Sequence, residues 1–245
     1  AMARISGSLP EKLEISLTHA ERRLRNIRRA HVPFNPELGY GRNSYFDDLI
    51  AALISELSTA LDLFSSDQDL PENQVAENDI PSNNIQSLID DLIETMRDAN
   101  GAGLAATQIA VPLRVCVIEV NKNPRYPYKP DIPLTVIINP KITFLTEERI
   151  NVYEGCLSVP NLRGQVDRCP EILVEGFDRE GGDLKFTSKG ISAGTFQHEF
   201  DHLDGLVFTD RMHDNSSLST IDEFALNHEQ DFKEQVINIV KTYGS

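Results

Sequence analysis

The sequence predicts an α+β fold, with short strands in the middle of the chain and helices on either side. Helix-like apolar periods occur before residue 101 and again over 219–240. Between them, short β-rich runs are separated by proline, glycine and asparagine and do not alternate regularly with helices. The 245 residues are enough for one substantial domain with extensions.

Two amphipathic helices are predicted in the first hundred residues. The first covers 44–65, with Ser44 as its cap. The acidic stretch 66–84 follows, is interrupted by two prolines, and is predicted to be a loop or mobile linker. The second helix covers about 84–100. Its buried face is predicted to contain Ile85, Leu88, Ile89, Leu92, Ile93 and Met96.

The period becomes strand-like after residue 101. Strands are predicted over 113–120, 134–140, 149–155 and 171–178, and a turn at 178–182 leads to a further strand as a hairpin. A helix over 191–203 ends at Gly205, and the helix over 219–240 begins with Ser219 as its cap. These elements suggest a division into three parts. They are an N-terminal extension over 1–83 that contains an acidic loop, a catalytic domain over 84–213 and a helical tail over 214–245.

Composition excludes several classes of protein. A net charge of −15 argues against specific nucleic-acid binding. No apolar run reaches the roughly 18 residues that a membrane helix needs. The three cysteines are irregularly spaced and form no disulfide framework, which favours a reducing, cytoplasmic setting.

The stretch TFQHEFDHLDG, at 195–205, has the pattern of a metal-binding helix. His198 and His202 are four residues apart, so on a helix they lie one turn above each other and can reach one ion. Glu199 lies about 100° around the helix. A carboxylate there can act on a water beside the metal as a general base.

Two histidines need a third ligand, and the residues leave two candidates open. Phe208 occupies the position where metzincin peptidases have a third histidine, which excludes that pattern. Glu223 lies at the distance that a thermolysin-like peptidase would use. Cys156, in the turn sequence EGCLSVP, lies upstream where a thiolate could be aimed at the ion.

A third motif, GAGLAATQ, occupies 101–108. Its small residues suggest that backbone approaches a ligand closely, and Gln108 supplies a neutral amide donor. A dinucleotide loop is a weak alternative, because the third glycine is missing and the motif follows a helix.

GAGLAATQ, EGCLS and HEFDH together resemble, in order and spacing, the three motifs of peptide deformylases, and the likeness extends over about 84–212. The resemblance implies small antiparallel sheets around a central helix that carries the HExxH motif. It implies that Cys156, His198 and His202 bind a metal and that Glu199 is the general acid and base. Gln108 and the backbone N–H of Leu157 would stabilise the oxyanion.

Further roles follow from the same resemblance. Gly103 and Gly155 would hold the substrate backbone, and Glu154 with Arg168 would form a supporting ion pair. The pocket for the first side chain would be surrounded by Leu104, Leu157, Arg163, Phe196 and His198.

The implied reaction is hydrolysis of the N-formyl group from the first methionine of newly synthesised proteins, with release of formate. One divalent ion per chain is expected, Fe²⁺ as the native ion and Zn²⁺, Ni²⁺ or Co²⁺ as substitutes. The expected partners are formyl-methionyl nascent peptides and, transiently, the ribosome, with no membrane. Two alternatives remain: a thermolysin-like peptidase that uses Glu223, and an inactive homologue that only holds metal.

Overall fold

The computed structural model describes residues 73–123, 126–213 and 215–245. Within these ranges the chain is α+β, with antiparallel sheets and helices, which confirms the predicted fold class. The predicted helix over 44–65 lies outside the described residues. None of the helices in these ranges has the length and apolarity of a membrane span.

In the described ranges the larger sheet has five strands in the order β1-β2-β3-β6-β7, and every neighbouring pair is antiparallel. Its strands are β1 (Gly103–Ala105), β2 (Val115–Val120), β3 (Ile132–Phe144), β6 (Glu171–Phe177) and β7 (Asp183–Lys189). Four of them match the predicted runs, and β6 and β7 form the predicted hairpin through the turn at 178–182. The short strand β1 was not predicted.

The described residues form three strands of a smaller sheet, in the order β4-β5-β8. They are β4 (Ile150–Cys156), β5 (Val159–Arg168) and β8 (Ser219–Thr220). The register of β4 against β5 shifts between Glu154 and Cys156. Such a bulge re-aims the side chain that follows it, and here that side chain is Cys156.

Helix α1 (Asn83–Asp98) covers one face of the larger sheet. The Ser82 side chain accepts a hydrogen bond from the Ile85 N–H and caps the helix. All six apolar residues of its predicted stripe are buried, as expected. Val75 and Ile80, which lie before the helix, are also buried against it, so the described end of the acidic stretch packs on the core.

Helix α2 (Gly190–Leu203) runs through the middle of the fold. Every residue in it is buried except His198. One side packs on the larger sheet through Ala193, Phe196 and Phe200, and Ile191 packs against the C-terminal helices. The helix therefore presents His198 to a cleft and is enclosed elsewhere.

The C-terminal region forms two helices rather than the single predicted one. After the short helix α3 (Phe208–Arg211), helices α4 (Ile221–Asn227) and α5 (Glu229–Tyr243) meet at His228, whose φ and ψ are −129° and −23°. Thr220, not Ser219, supplies the N-cap, because its hydroxyl accepts from the Glu223 N–H. The Phe232 side chain packs with Val152 of β4, so this region belongs to the core.

Candidate metal centre and catalytic cleft

Three side chains with metal-binding atoms converge where α2 meets the end of β4. His198 and His202 lie one turn apart on α2, with ring centroids 4.9 Å apart. The bulge in β4 brings Cys156 Sγ to 3.2 Å from His202 Nε2. One ligand atom from each of the three residues lies within 4.8 Å of the other two. The three residues implied by the motifs are therefore brought together.

The donor chemistry of this group fits a divalent ion. Burial opposes ionisation of the Cys156 thiol, but His202 and His198 outweigh it and hold its pKa well below the usual range. A thiolate and two imidazoles are the donors that borderline ions such as Zn²⁺ prefer, and three protein ligands leave one position open for catalysis. The residues present therefore fit the metal that the motifs imply.

A buried ion pair orients the first histidine. Glu154 Oε2 lies 2.8 Å from His198 Nδ1, so Nε2 would be the ring nitrogen that binds an ion. Arg168 holds Glu154 through two hydrogen bonds of 2.7 and 2.9 Å. Burial raises the pKa of the Glu154 carboxyl, but Arg168 and His198 lower it far more, so the group stays ionised.

Glu199 is a buried residue of the cleft wall, with little space around its carboxylate. Burial raises the pKa of its carboxyl, although the two histidines act against this. In the described part of the chain, Glu199 Oε2 is buried without a hydrogen-bond partner. A Cβ on Gly103 would lie 2.5 Å from the carboxyl carbon of Glu199. The glycine at 103 is thus explained by the close approach of this carboxylate.

Gln108 lies on a 3-10 helix, Ala106–Ile109, that contacts α2 through a hydrogen bond from Thr107 Oγ1 to the His202 carbonyl. Its Oε1 accepts from the Ala105 N–H, which fixes the orientation of the amide. Its Nε2 then points toward Cys156 and donates to Ser158 Oγ at 3.0 Å. Sequence reasoning missed Ser158, although it directly follows Cys156 and Leu157 in the motif.

The cleft combines these groups with a glycine-rich wall and two cations. A Cβ on Gly155 would lie 2.5 Å from Arg163 Nη1, so this glycine allows the arginine to lie flat against β4. The cleft is lined by Gly101, Ala102, Gly103, Gln108, Tyr126, Lys129, Val152, Tyr153, Glu154, Gly155, Cys156, Leu157, Arg163, Ile191, Gly194, Thr195, His198 and Glu199. A wider depression of about 530 Å³ along α5 contains none of these groups.

Leu104 and Phe196, which the resemblance places around the substrate pocket, are buried in hydrophobic clusters and are not among the residues that line the cleft. Leu104 points to the opposite side of β1 from Gly103, because successive side chains of a strand alternate. Phe196 lies about 200° around α2 from His198 and packs on Phe186, with ring centroids 5.2 Å apart.

Tyr126 and Lys129 are cleft residues that sequence reasoning did not assign. Lys129 Nζ donates to Thr195 Oγ1 of α2 at 3.0 Å and lies 4.9 Å from the centre of the Tyr126 ring. The buried Arg163 lies over the same ring, at 5.1 Å. The signal that could have found both residues is the run of aromatic and basic residues at 126–129.

Glu223, the alternative third ligand, lies elsewhere. It is exposed in the first turn of α4, and its Oε1 accepts a hydrogen bond from Asn227. The group that could hold an ion contains Cys156 instead. The thermolysin-like alternative is therefore not favoured.

Comparisons with known proteins agree on one family. Residues 66–217 match the sequence profile described as Polypeptide deformylase. Peptide deformylase 2 of Nostoc sp. is 47% identical over 140 residues, which are 57% of this chain and 78% of that relative. Peptide deformylase 1 of Prochlorococcus marinus is 46% identical over 134 residues, 54% of this chain and 70% of that relative.

Solved structures are similar as well. The Met-Ala-Ser bound crystal structure of class I type b peptide deformylase from Acinetobacter baumannii has a TM-score of 0.55 and 36% sequence identity. The likeness covers 60% of this chain and 94% of that one.

Proposed function

Because this chain belongs to the polypeptide deformylase family, we propose that the cleft beside α2 is its active site. The protein is a metal-dependent hydrolase that removes the N-formyl group from the N-terminal methionine of newly synthesised proteins. Its substrates are formyl-methionyl nascent peptides, and its products are formate and the free amine. The roles of individual residues are our proposal.

We assign the metal to Cys156, His198 and His202. The observation that carries this assignment is the convergence of their ligand atoms within 4.8 Å in the cleft. When bound, a divalent ion supplies Lewis acidity, which polarises the formyl group and makes a water a better nucleophile near neutral pH.

Glu199 is the proposed proton carrier. Its carboxylate accepts a proton from the attacking water and later passes it to the departing amine nitrogen. Two features support this role. Burial raises the pKa of the carboxyl toward the range where it can both accept and release a proton, and Oε2 has no hydrogen-bond partner among the described residues to compete with the water.

Gln108 and the backbone N–H of Leu157 are the proposed oxyanion donors. Donors that are oriented before the reaction stabilise developing charge without reorganising. The Ala105 N–H holds Gln108 Oε1, so that only the amide nitrogen faces Cys156. Leu157 lines the cleft directly after the ligand Cys156.

The substrate backbone is proposed to lie in an extended pose between β1 and β4. Among the described residues, each of these strands is the terminal strand of its sheet, and each contributes a glycine to the cleft, Gly103 and Gly155. A terminal strand has unpaired N–H and C=O groups that an extended peptide can pair with. Arg163 bounds this groove on the β5 side. On the family resemblance, we propose that Leu104, Leu157, Arg163, Phe196 and His198 surround the pocket for the first side chain.

Three finer assignments extend the proposal. We propose Fe²⁺ as the native ion, on the family resemblance, since the thiolate and imidazole donors also suit Zn²⁺, Ni²⁺ and Co²⁺. We propose a cytoplasmic setting, which the three free cysteines support. We propose a transient contact with the ribosome, because the substrate is a nascent chain and a net charge of −15 disfavours lasting contact with RNA.

The division into 1–83, 84–213 and 214–245 also remains a proposal.

A formate-release assay tests the proposal. Protein loaded with Fe²⁺ or Ni²⁺ is expected to release formate from formyl-Met-Ala-Ser, and Glu199→Ala loaded with the same metal is expected to be almost inactive. Absence of formate from folded, metal-loaded wild-type protein would contradict the assignment. Full activity of Glu199→Ala would contradict the role of Glu199 alone.

A further inference from the structure

Alternating charges connect the candidate metal site to the surface. From the inside outward, Glu154 contacts His198, Arg168 contacts Glu154, Asp201 contacts Arg168, and Arg211 contacts Asp201. Each of these four contacts is between 2.6 and 2.8 Å long. The series, which we call the charge chain, therefore has no gap between Arg211 and the ring of His198.

The charge chain is balanced only when Arg211 is present. It contains two carboxylates, Glu154 and Asp201, and two guanidinium groups, Arg168 and Arg211. The inner three side chains are buried, with 10%, 4% and 7% exposure for Glu154, Arg168 and Asp201, whereas Arg211 is 46% exposed. Without Arg211, a single buried cation would have to neutralise two buried carboxylates.

The geometry at Asp201 divides the two arginines between its two oxygens. Arg168 Nη1 donates to Oδ2 at 2.7 Å. Arg211 donates to Oδ1 from both Nε and Nη2, at 3.0 and 2.6 Å. Removal of Arg211 would leave Oδ1 of a buried carboxylate without these donors, which is costly in a low-dielectric interior.

The consequence reaches His198 through Arg168. Without the positive charge of Arg211, the Asp201 carboxylate attracts the guanidinium of Arg168 more strongly. The two hydrogen bonds from Arg168 to Glu154 are then weakened. Glu154 is the group that orients the His198 ring through Nδ1. Groups that orient a ligand in this way typically change metal affinity by 10- to 100-fold when they are mutated.

We propose that Arg211 is a positioning residue for the metal site, acting on His198 through Asp201, Arg168 and Glu154. This inference rests on the proposed function, because it takes His198 as a ligand. Arg211 itself belongs neither to the candidate ligand group nor to the residues that line the cleft in the described part of the chain.

The competing explanation is an ordinary surface ion pair that contributes only to stability. An ion pair at the end of α2 offers a matched control. Arg114 Nη1 lies 2.7 Å from Asp204 Oδ1, just beyond the end of α2, in a partly exposed pair that is not part of the charge chain. Arg114→Met thus removes a comparable arginine contact near α2 without disturbing Glu154 or His198.

Co²⁺-substituted protein provides a readout other than activity. Wild type, Arg211→Met, Arg211→Lys and Arg114→Met are loaded with Co²⁺. Their visible and thiolate-to-cobalt absorption bands are recorded, and Co²⁺ affinity is measured by competition with a chelator. We expect Arg211→Met to shift the visible bands and to weaken affinity by up to about tenfold, less than a direct partner of the ligand would. Arg211→Lys should recover part of the loss, and Arg114→Met should match wild type.

The spectra distinguish a failure of the positioning role of Arg211 from a failure of the metal assignment. If wild type binds Co²⁺ with a thiolate band while Arg211→Met has the same bands and affinity, the positioning role is wrong and the metal site stands. If wild type gives no thiolate band, the metal assignment fails and this inference fails with it. Should Arg211→Met not fold, Arg211→Lys decides: unchanged bands and affinity would refute the role, because lysine cannot reproduce both donor contacts.

Discussion

Gly103 and Glu199 lie so close together that a Cβ on the glycine would be 2.5 Å from the carboxyl carbon of the glutamate. The first residue is in an edge strand, and the second is on the helix that carries both histidines. Their contact joins the proposed substrate-binding strand to the proposed proton carrier, with no room between them.

Gly103→Ala is therefore expected to displace Glu199 and to abolish most formate release. It should also lower the free energy of unfolding, by about 1–3 kcal/mol for overpacking a buried site. Denaturant unfolding of Gly103→Ala alone and in a Glu199→Ala background measures the coupling. The alanine should cost much less in the second background, because the clashing carboxylate is gone. Equal costs in both backgrounds would show that the clash is with some other group.

Cys156→Ala is expected to lose tightly bound metal, because only two ligands remain. Glu223→Ala should keep a full equivalent, since Glu223 is exposed on α4 and paired with Asn227. Metal content after dialysis, measured by atomic emission, compares the two variants. The reverse pattern, metal lost from Glu223→Ala and kept by Cys156→Ala, would restore the thermolysin-like alternative.

Gln108→Glu is expected to reduce kcat/KM by about 10²–10³, the usual cost of losing one oxyanion donor. The change keeps the size of the side chain but replaces the amide donor by a carboxylate, which would also repel the developing negative charge. Steady-state formate release gives the rate, and metal analysis serves as the control, since the ligands are untouched. A variant with normal kcat/KM and normal metal content would remove Gln108 from the oxyanion site.

Phe232→Ala is expected to destabilise the protein by about 3–5 kcal/mol, the range for truncating a buried aromatic side chain. Phe232 is 2% exposed and packs edge-to-face on Tyr128 and Tyr153, at 5.3 and 5.6 Å between ring centroids. Leu226→Ala, at a position that is 79% exposed, should change stability by less than about 0.5 kcal/mol. Urea unfolding curves compare the two. Similar small effects would mean that the C-terminal helices are not part of the core.

Acid dependence is expected at the ion pair between Arg97 and Glu119. The hydrogen bond from Arg97 lowers the pKa of the Glu119 carboxyl against a smaller opposing effect of burial. A carboxyl with a lowered folded pKa stabilises the fold above its unfolded pKa, near 4.5, and that contribution disappears as pH falls through the folded pKa. Arg97→Gln should therefore be slightly less stable than wild type at pH 7 and equally stable once Glu119 is protonated. Thermal unfolding across this range measures the difference, and a constant gap at all pH values would contradict it.

Local patterns predicted a large part of the fold. The stripe of α1, the hairpin between β6 and β7, and the start and end of α2 depend on contacts close in sequence, so periodicity and turn residues were enough. The position of Cys156, beside two histidines more than forty residues away, was inferred from motif order, because no local pattern encodes a long-range contact. The same holds for β1, three residues that become a strand only by pairing with β2.

Other positions depend on packing between distant parts of the chain. Leu104 and Phe196 were assigned to the substrate pocket by the family resemblance, and strand alternation and helix rotation bury both in hydrophobic clusters. The predicted apolar positions of the C-terminal helix skip from Ala225 to Phe232, and the structure divides the helix within this gap, at His228. Lys129 lies in the cleft lining and donates a hydrogen bond to Thr195 of α2, a contact between residues far apart in sequence that no local pattern encodes.

The enclosure of α2 also has a kinetic consequence. Segments buried on every side open only with the largest free energies, whereas exposed helix ends fray readily. Because His202 and Glu199 are buried within α2, an ion bound at the proposed site would not be lost through fraying of this helix. Its release would require either escape past His198 or collective opening of the core. Backbone amides of α2 should accordingly be among the slowest in the protein to exchange with deuterated solvent. If opening of the core limits metal release, the rate of metal exchange should be similarly slow.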